Sequence, residues 1–180
     1  MNILMAYPMY PDTFWRFKHA FKFVSKKASF PPLGLLTVAS MLPEDWNKKL
    51  IDMNANHLTD DDILWADLVF ISAMSIQSES ADEVIERCVN LKAKIVAGGP
   101  LFTSSSEYYD KVDYLILNEA EITLPLFLKD FSEGKPKHIY TSDAWADITT
   151  TPLPQWDLVS MNNYTSMNLQ YSRGCPFDCE

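Results

Sequence analysis

The feature that most constrains this chain is an alternation of two hydrophobic periodicities. Residues 2–6, 66–72, 93–97 and 112–117 are short, nearly continuous apolar runs, and residues 49–53 form a weaker fifth. Between them the apolar residues fall at helical spacing, as in Leu35, Val38, Ala39 and Leu42, and again in Ala81, Val84, Ile85 and Cys88. A strand that is apolar on both faces needs cover on both, and helices alternating with such strands supply it. The pattern therefore predicts an α/β fold: a doubly wound, five-stranded parallel sheet. Ligands of such sheets sit beyond the carboxyl ends of the strands, which directs attention to the residues that follow each run.

The pattern stops after Gly134, and residues 151–157 bring two prolines, Pro152 and Pro154, among polar neighbours. The expected organisation is a ligand-binding domain over residues 1–135, a linker with a fixed course over 136–165 and the start of a further domain over 166–180. Residues 167–172 read as one more strand. With 47% hydrophobic and 13% aromatic residues among 180, a real core is affordable. A net charge of −9 disfavours broad nucleic-acid binding, which needs a basic surface. The charge is uneven: Arg16, Lys18, Lys22, Lys26 and Lys27 lie in a stretch, 13–43, without a single acid. That stretch reads as a solvated basic loop or as a local anion or lipid-headgroup contact. No run suggests a membrane span or a cleaved leader, and three cysteines without a leader fit a reducing cytoplasm.

Two of those cysteines stand in an unusual context. Cys175 and Cys179 are separated by three residues behind the turn Ser172-Arg173-Gly174, with Pro176 following Cys175. A redox pair or a partial zinc site is built from the same two thiols. The flanking text, however, resembles the opening of the radical S-adenosylmethionine motif Cys-x3-Cys-x2-Cys. Three thiolates of that motif hold three irons of a 4Fe-4S cluster, leaving the fourth for S-adenosylmethionine. On this reading the third cysteine falls at position 182. Cys88 reads as a small core residue on its helix.

The upstream region resembles the cobalamin-binding module that precedes the catalytic barrel of cobalamin-dependent radical S-adenosylmethionine enzymes, a flavodoxin-like or Rossmann-like domain. Ser72-Ala73-Met74, running on to Ser75, resembles the Ser-x-Leu element whose serine meets the benzimidazole tail. Gly98-Gly99-Pro100 resembles the double-glycine loop that admits backbone close to that tail. Asn118-Glu119-Ala120-Glu121 resembles a Gly-Glu-x-Glu stretch in which Asn118 replaces glycine, a mild departure because asparagine tolerates positive φ. Tyr7 and Pro8, at the end of the first run, complete the implied cofactor set with Glu119 and Glu121. In a helix those two acids would point apart, so a corrinoid contact or a helix N-terminal charge is preferred to an acid/base pair.

The stretch from Pro31 to Ala39 and the text Asn118-Glu119-Ala120-Glu121-Ile122-Thr123-Leu124-Pro125 bring the chain nearest the subgroup containing hopanoid methylases. The family's Asp-x-His-x-x-Gly loop is missing after the first strand, and neither His19 nor His57 has the right context. The resemblance thus implies cobalt without a protein ligand below. It implies methyl transfer to an unactivated carbon by the whole enzyme, with cobalamin, the following radical domain and a lipid-like substrate as partners, and no turnover by these 180 residues alone. The alternative is a cobalamin-free interaction or recognition domain. A flavodoxin-type nucleotide site is disfavoured because the chain has no Gly-x-Gly-x-x-Gly.

Overall fold

Burial on both faces accounts for the apolar runs in the computed structural model, which describes residues 1–12 and 21–174. The strands are β1 (Asn2–Tyr7), β2 (Asn47–Asp52), β3 (Leu68–Ser72), β4 (Ile95–Gly98), β5 (Tyr114–Ile116) and β6 (Ile139–Tyr140). They form one parallel sheet in the order β2-β1-β3-β4-β5-β6. Because strand side chains alternate, Leu4 and Ala6 enter one core while Ile3 and Met5 enter the other. The first core is closed by α2 (Asp60–Trp65), α3 (Ser78–Asn90) and α4 (Pro100–Ser104), through Ile63, Val84 and Phe102. The second is closed by α1 (Leu33–Met41) and α5 (Ala120–Ser132), through Leu36, Ala39 and Phe127. The doubly wound expectation holds.

Two expectations about strands are corrected. The sheet has six strands rather than five; β6 is two residues long, its Ile139 and Tyr140 paired with Leu115 and Ile116. It lies in the stretch read as linker. Residues 167–172 form no strand among the described residues; a strand exists only with a hydrogen-bonded neighbour, and no described segment offers them one.

The stretch 136–165 is not a free tether. Ser40 Oγ donates to the Leu153 carbonyl at 2.6 Å and Gln155 N to the Leu36 carbonyl at 3.0 Å, fastening it along α1. Further on, Ala28 N donates to the Asn163 carbonyl and Thr165 N to that of Ala28, both at 3.1 Å. Tyr164, which is buried, donates from its hydroxyl to Asp52 Oδ2 at 3.1 Å beneath this strap. The strap thereby passes over the carboxyl ends of the strands and becomes part of whatever site lies there.

Local signals act as sequence physics predicts. Thr59 and Asp62 form a reciprocal cap at the start of α2, with Asp62 N donating to Thr59 Oγ1 at 3.3 Å and Thr59 N to Asp62 Oδ2 at 2.9 Å. Burial alone would raise the Asp62 carboxyl, but hydrogen bonds from Lys49 and Thr59 outweigh it and lower the group from 3.8 to about 2. A folded-state value below the unfolded one means that this stabilisation is complete above about pH 4 and is lost as pH falls through 2. Asp62→Asn is expected to reduce stability by about 1 kcal/mol at pH 7 and to flatten the acid limb between pH 4 and 2. Denaturant titrations across that range read both effects.

Candidate functional site

Register places the strand ends in one row. Tyr7 pairs with Asp52, while Ser72 pairs with Gly98, Gly98 with Ile116, and Ile116 with Tyr140. The residues that follow these positions meet above the sheet. Gly98 is packed so closely that a Cβ there would stand 2.7 Å from the Ile116 carbonyl oxygen. Gly99 has φ +94°, and a Cβ there would stand 2.8 Å from Ser72 Oγ. Both glycines are thus demanded by the protein's own atoms. Asn118 takes φ 61°, fulfilling the expectation that it can stand in for glycine, and its Nδ2 donates to Thr141 Oγ1 at 3.1 Å and to the Ser142 carbonyl at 2.9 Å.

Two clefts open above this row, of about 680 and 590 Å³, each in the range of small-molecule sites, roughly 300–1,000 Å³. Ser72, Pro100, Asn168 and residues 33–35 line both and form the wall between them. The first cleft receives Gly98, Gly99, Glu119 and Glu121 from the expected set, with residues 169–173 across from them. It also receives Val38, expected on the core stripe of α1 but only half-buried here, with Leu36 taking the core position. The second cleft receives Tyr7, Ala73 and Met74. Pro8 and Ser75 line neither: the Pro8 carbonyl accepts hydrogen bonds from Gln77 and Asn54, and Ser75 opens a short 3-10 turn. Burial, and then the 2.8 Å contact with the Tyr10 hydroxyl, push the Tyr7 phenol far above its ordinary value. It stays protonated and serves as wall.

The acids of the fifth strand end behave differently from expectation. Glu119 is the N-cap of α5, with extended backbone at ψ 116°, so the helical spacing that would separate it from Glu121 does not apply. Both carboxylates converge on Arg173: Glu119 Oε2 lies 3.6 Å from Nη1, and Glu121 Oε1 is bonded to Nη2. Burial works to raise the Glu121 carboxyl, yet the bonds from Arg173, from backbone and from Thr151 together lower it.

Asn168 escaped sequence reasoning. Its Oδ1 is buried without a hydrogen-bond partner among the described residues, and it stands in the wall common to both clefts. As one of three alternating polar residues in a strand-like run, with Gln170 and Ser172, it gives no sequence signal of this. Cys88 is fully buried in the core and its thiol is pushed up to about 12 by burial, so the reading of it as packing stands. Cys175, Cys179 and His19 lie outside the described residues. His57 is exposed.

Residues 24–128, more than half of the chain, match the B12 binding domain family. The chain belongs to that family. Its relatives are longer proteins: an uncharacterized methyltransferase of Synechocystis is 43% identical over the whole chain, which covers 34% of that protein. The hopanoid C-2 methylase of Rhodopseudomonas palustris is 34% identical over 99% of the chain and 35% of its own length. An uncharacterized methyltransferase of Pyrococcus horikoshii is 28% identical over 83% of the chain and 39% of its own length. The chain thus spans just over a third of the curated relatives it matches. No solved structure matches it. Among the described residues no helix is long and apolar enough to cross a membrane, and no three His, Cys, Asp or Glu side chains are grouped to hold a metal ion.

The residues at the strand ends suit a B12 group on chemical grounds. The corrin macrocycle surrounds a cobalt ion, and its periphery carries methyl and carboxamide groups. Two adjoining clefts with apolar walls match the ring, and the unpaired Asn168 oxygen matches a carboxamide N–H.

Proposed function

We propose that this chain is the cobalamin-holding module of a larger methyltransferase that also uses S-adenosylmethionine and a 4Fe-4S cluster. The observation that carries the reading is the orphaned Asn168 oxygen in the wall between two clefts at the strand ends of a B12-family domain. An unpaired buried acceptor costs about 1–3 kcal/mol, a cost relieved by a ligand that brings a donor.

Within this reading each group has a task. Asn168 accepts from a peripheral amide of the ring. The Ser72 hydroxyl donates to the basic nitrogen of the tail, and Gly98 and Gly99 bring backbone close where a side chain would collide. Tyr7, with Ala73 and Met74, closes the second cleft as an apolar wall. Cobalamin held there would supply methyl-transfer chemistry that no amino-acid side chain provides. Cys175 and Cys179 would each contribute a thiolate to the cluster, which together with S-adenosylmethionine would supply radical chemistry. Residues 1–180 hold a cofactor and turn over nothing by themselves.

Titration of the purified chain with hydroxocobalamin, followed by visible absorbance and calorimetric heat, tests this. Saturable binding at one corrinoid per chain is the expected result. A lack of both signals, in this chain and in one extended to the length of its relatives, would overturn the proposal and favour a recognition domain that has kept the fold without the cofactor.

A further inference from the structure

The two acids at the start of α5 gather three separate segments around Arg173. Its Nη1 and Nη2 face Glu119 and Glu121 at the start of α5, its Nε donates to Gln170 Oε1 at 3.2 Å, and Glu121 Oε1 also accepts from Thr151 Oγ1 at 2.9 Å. Glu119 Oε2 in turn accepts from the backbone N–H of Ala146. The three charged side chains are only 21%, 17% and 11% exposed for Arg173, Glu119 and Glu121. Ion pairs this far from water add little net stability, since desolvation offsets attraction, but they do specify one geometry. Arginine suits the place because its planar fork spans two carboxylates, which a point-like ammonium does not.

What the fork fixes is informative. Ser172 and Arg173 line the first cleft, and Arg173 precedes Cys175 by two residues, a length of chain that spans at most about 7 Å. The two acids at the start of α5 therefore tie the strap, through Thr151 and Ala146, and the turn that leads into the cysteines, through Arg173, to the cleft rim. We infer that Arg173, gripped by Glu119 and Glu121, is a positioning residue that sets the described segment leading into Cys175 in register with the cofactor cleft. The inference rests on the proposed roles of cobalamin and of Cys175 and Cys179, and it adds a mechanical link between them.

Trypsin reads the grip directly, because cleavage after Arg173 requires its side chain to leave the two acids. Release of the peptide that begins at Gly174 is followed by mass spectrometry, with cleavage after the exposed Lys137 as reference. Glu121→Gln and Glu119→Gln are expected to speed cleavage after Arg173 at least tenfold while leaving the Lys137 site unchanged, and Glu121→Asp to restore most of the protection. A parallel measurement uses protein of the relatives' full length with its cluster reconstituted. There Glu121→Gln is expected to shift the electron paramagnetic resonance g values of the reduced cluster at unchanged iron content, and Glu121→Asp to return them. Equal cleavage rates in parent and both Gln variants, or g values that do not move, would overturn the inference. Failure of the parent protein to take up iron or corrinoid would instead overturn the proposed function, and the cleavage ratio would still decide whether the grip exists.

Discussion

Gly98→Val is expected to destabilise the chain by about 3 kcal/mol, and Gly99→Ala by about 2–3 kcal/mol, out of a total that for domains of this kind is about 5–15 kcal/mol. Gly98 sits in an inner strand, paired with Ser72 on one side and Ile116 on the other. Its added Cβ would meet the Ile116 carbonyl oxygen at 2.7 Å. That oxygen is backbone and cannot swing aside, so β4 and β5 must separate, and β5 has only three residues with which to hold on. Gly99 fails for another reason. Its φ of +94° with ψ of −179° lies in a region that essentially only glycine enters, whereas the Ser72 hydroxyl at 2.8 Å is a side-chain end that can rotate away. Urea denaturation separates the cases. Ser72→Ala should relieve part of the Gly99→Ala cost and none of the Gly98→Val cost, because only the first substitution presses on that hydroxyl.

These two glycines also show what the chain discloses as text. Their presence after a strand was legible, and so was the place where a ligand would sit, because runs that are apolar on both faces admit few architectures. Their reason was not legible. The sequence suggests room for a cofactor tail, whereas the structure adds two protein atoms, the Ile116 oxygen and the Ser72 hydroxyl, that only tertiary pairing brings near. The same limit explains β6, since two residues of ladder leave no periodicity to read. It explains residues 167–172 too, whose strand-like text has no partner among the described residues. Helical spacing points Glu119 and Glu121 in opposite directions, and one non-helical ψ at the cap reverses that. Local rules found the elements; the convergence of Asn168, Arg173 and the two acids depends on a strap that returns across the sheet, and sequence distance conceals it.

Gly34→Trp is expected to weaken hydroxocobalamin binding at least 100-fold, about 2.8 kcal/mol, without unfolding the chain. Gly34 is the second residue of α1 and lines both clefts. It is exposed, and a Cβ built on it meets nothing within 4 Å. An indole there projects into open cleft rather than into the core, and replacing glycine in a helix removes a conformational cost of up to about 1 kcal/mol. Stability should therefore hold or rise slightly while the ligand space is filled. Gly34→Ala supplies the control, expected to bind within about threefold of the parent. Asn168→Leu separates shape from chemistry in the same wall. The leucine keeps the bulk and removes the unpaired oxygen, so stability should stay level or increase, while affinity falls by about tenfold for one lost hydrogen bond. Loss of affinity with gain of stability is the combination to look for, because a residue that merely supported the fold would lose both together. If Asn168→Leu bound hydroxocobalamin as tightly as the parent, the orphaned oxygen would not be part of the site; if Gly34→Trp did so, the corrinoid would lie outside both clefts.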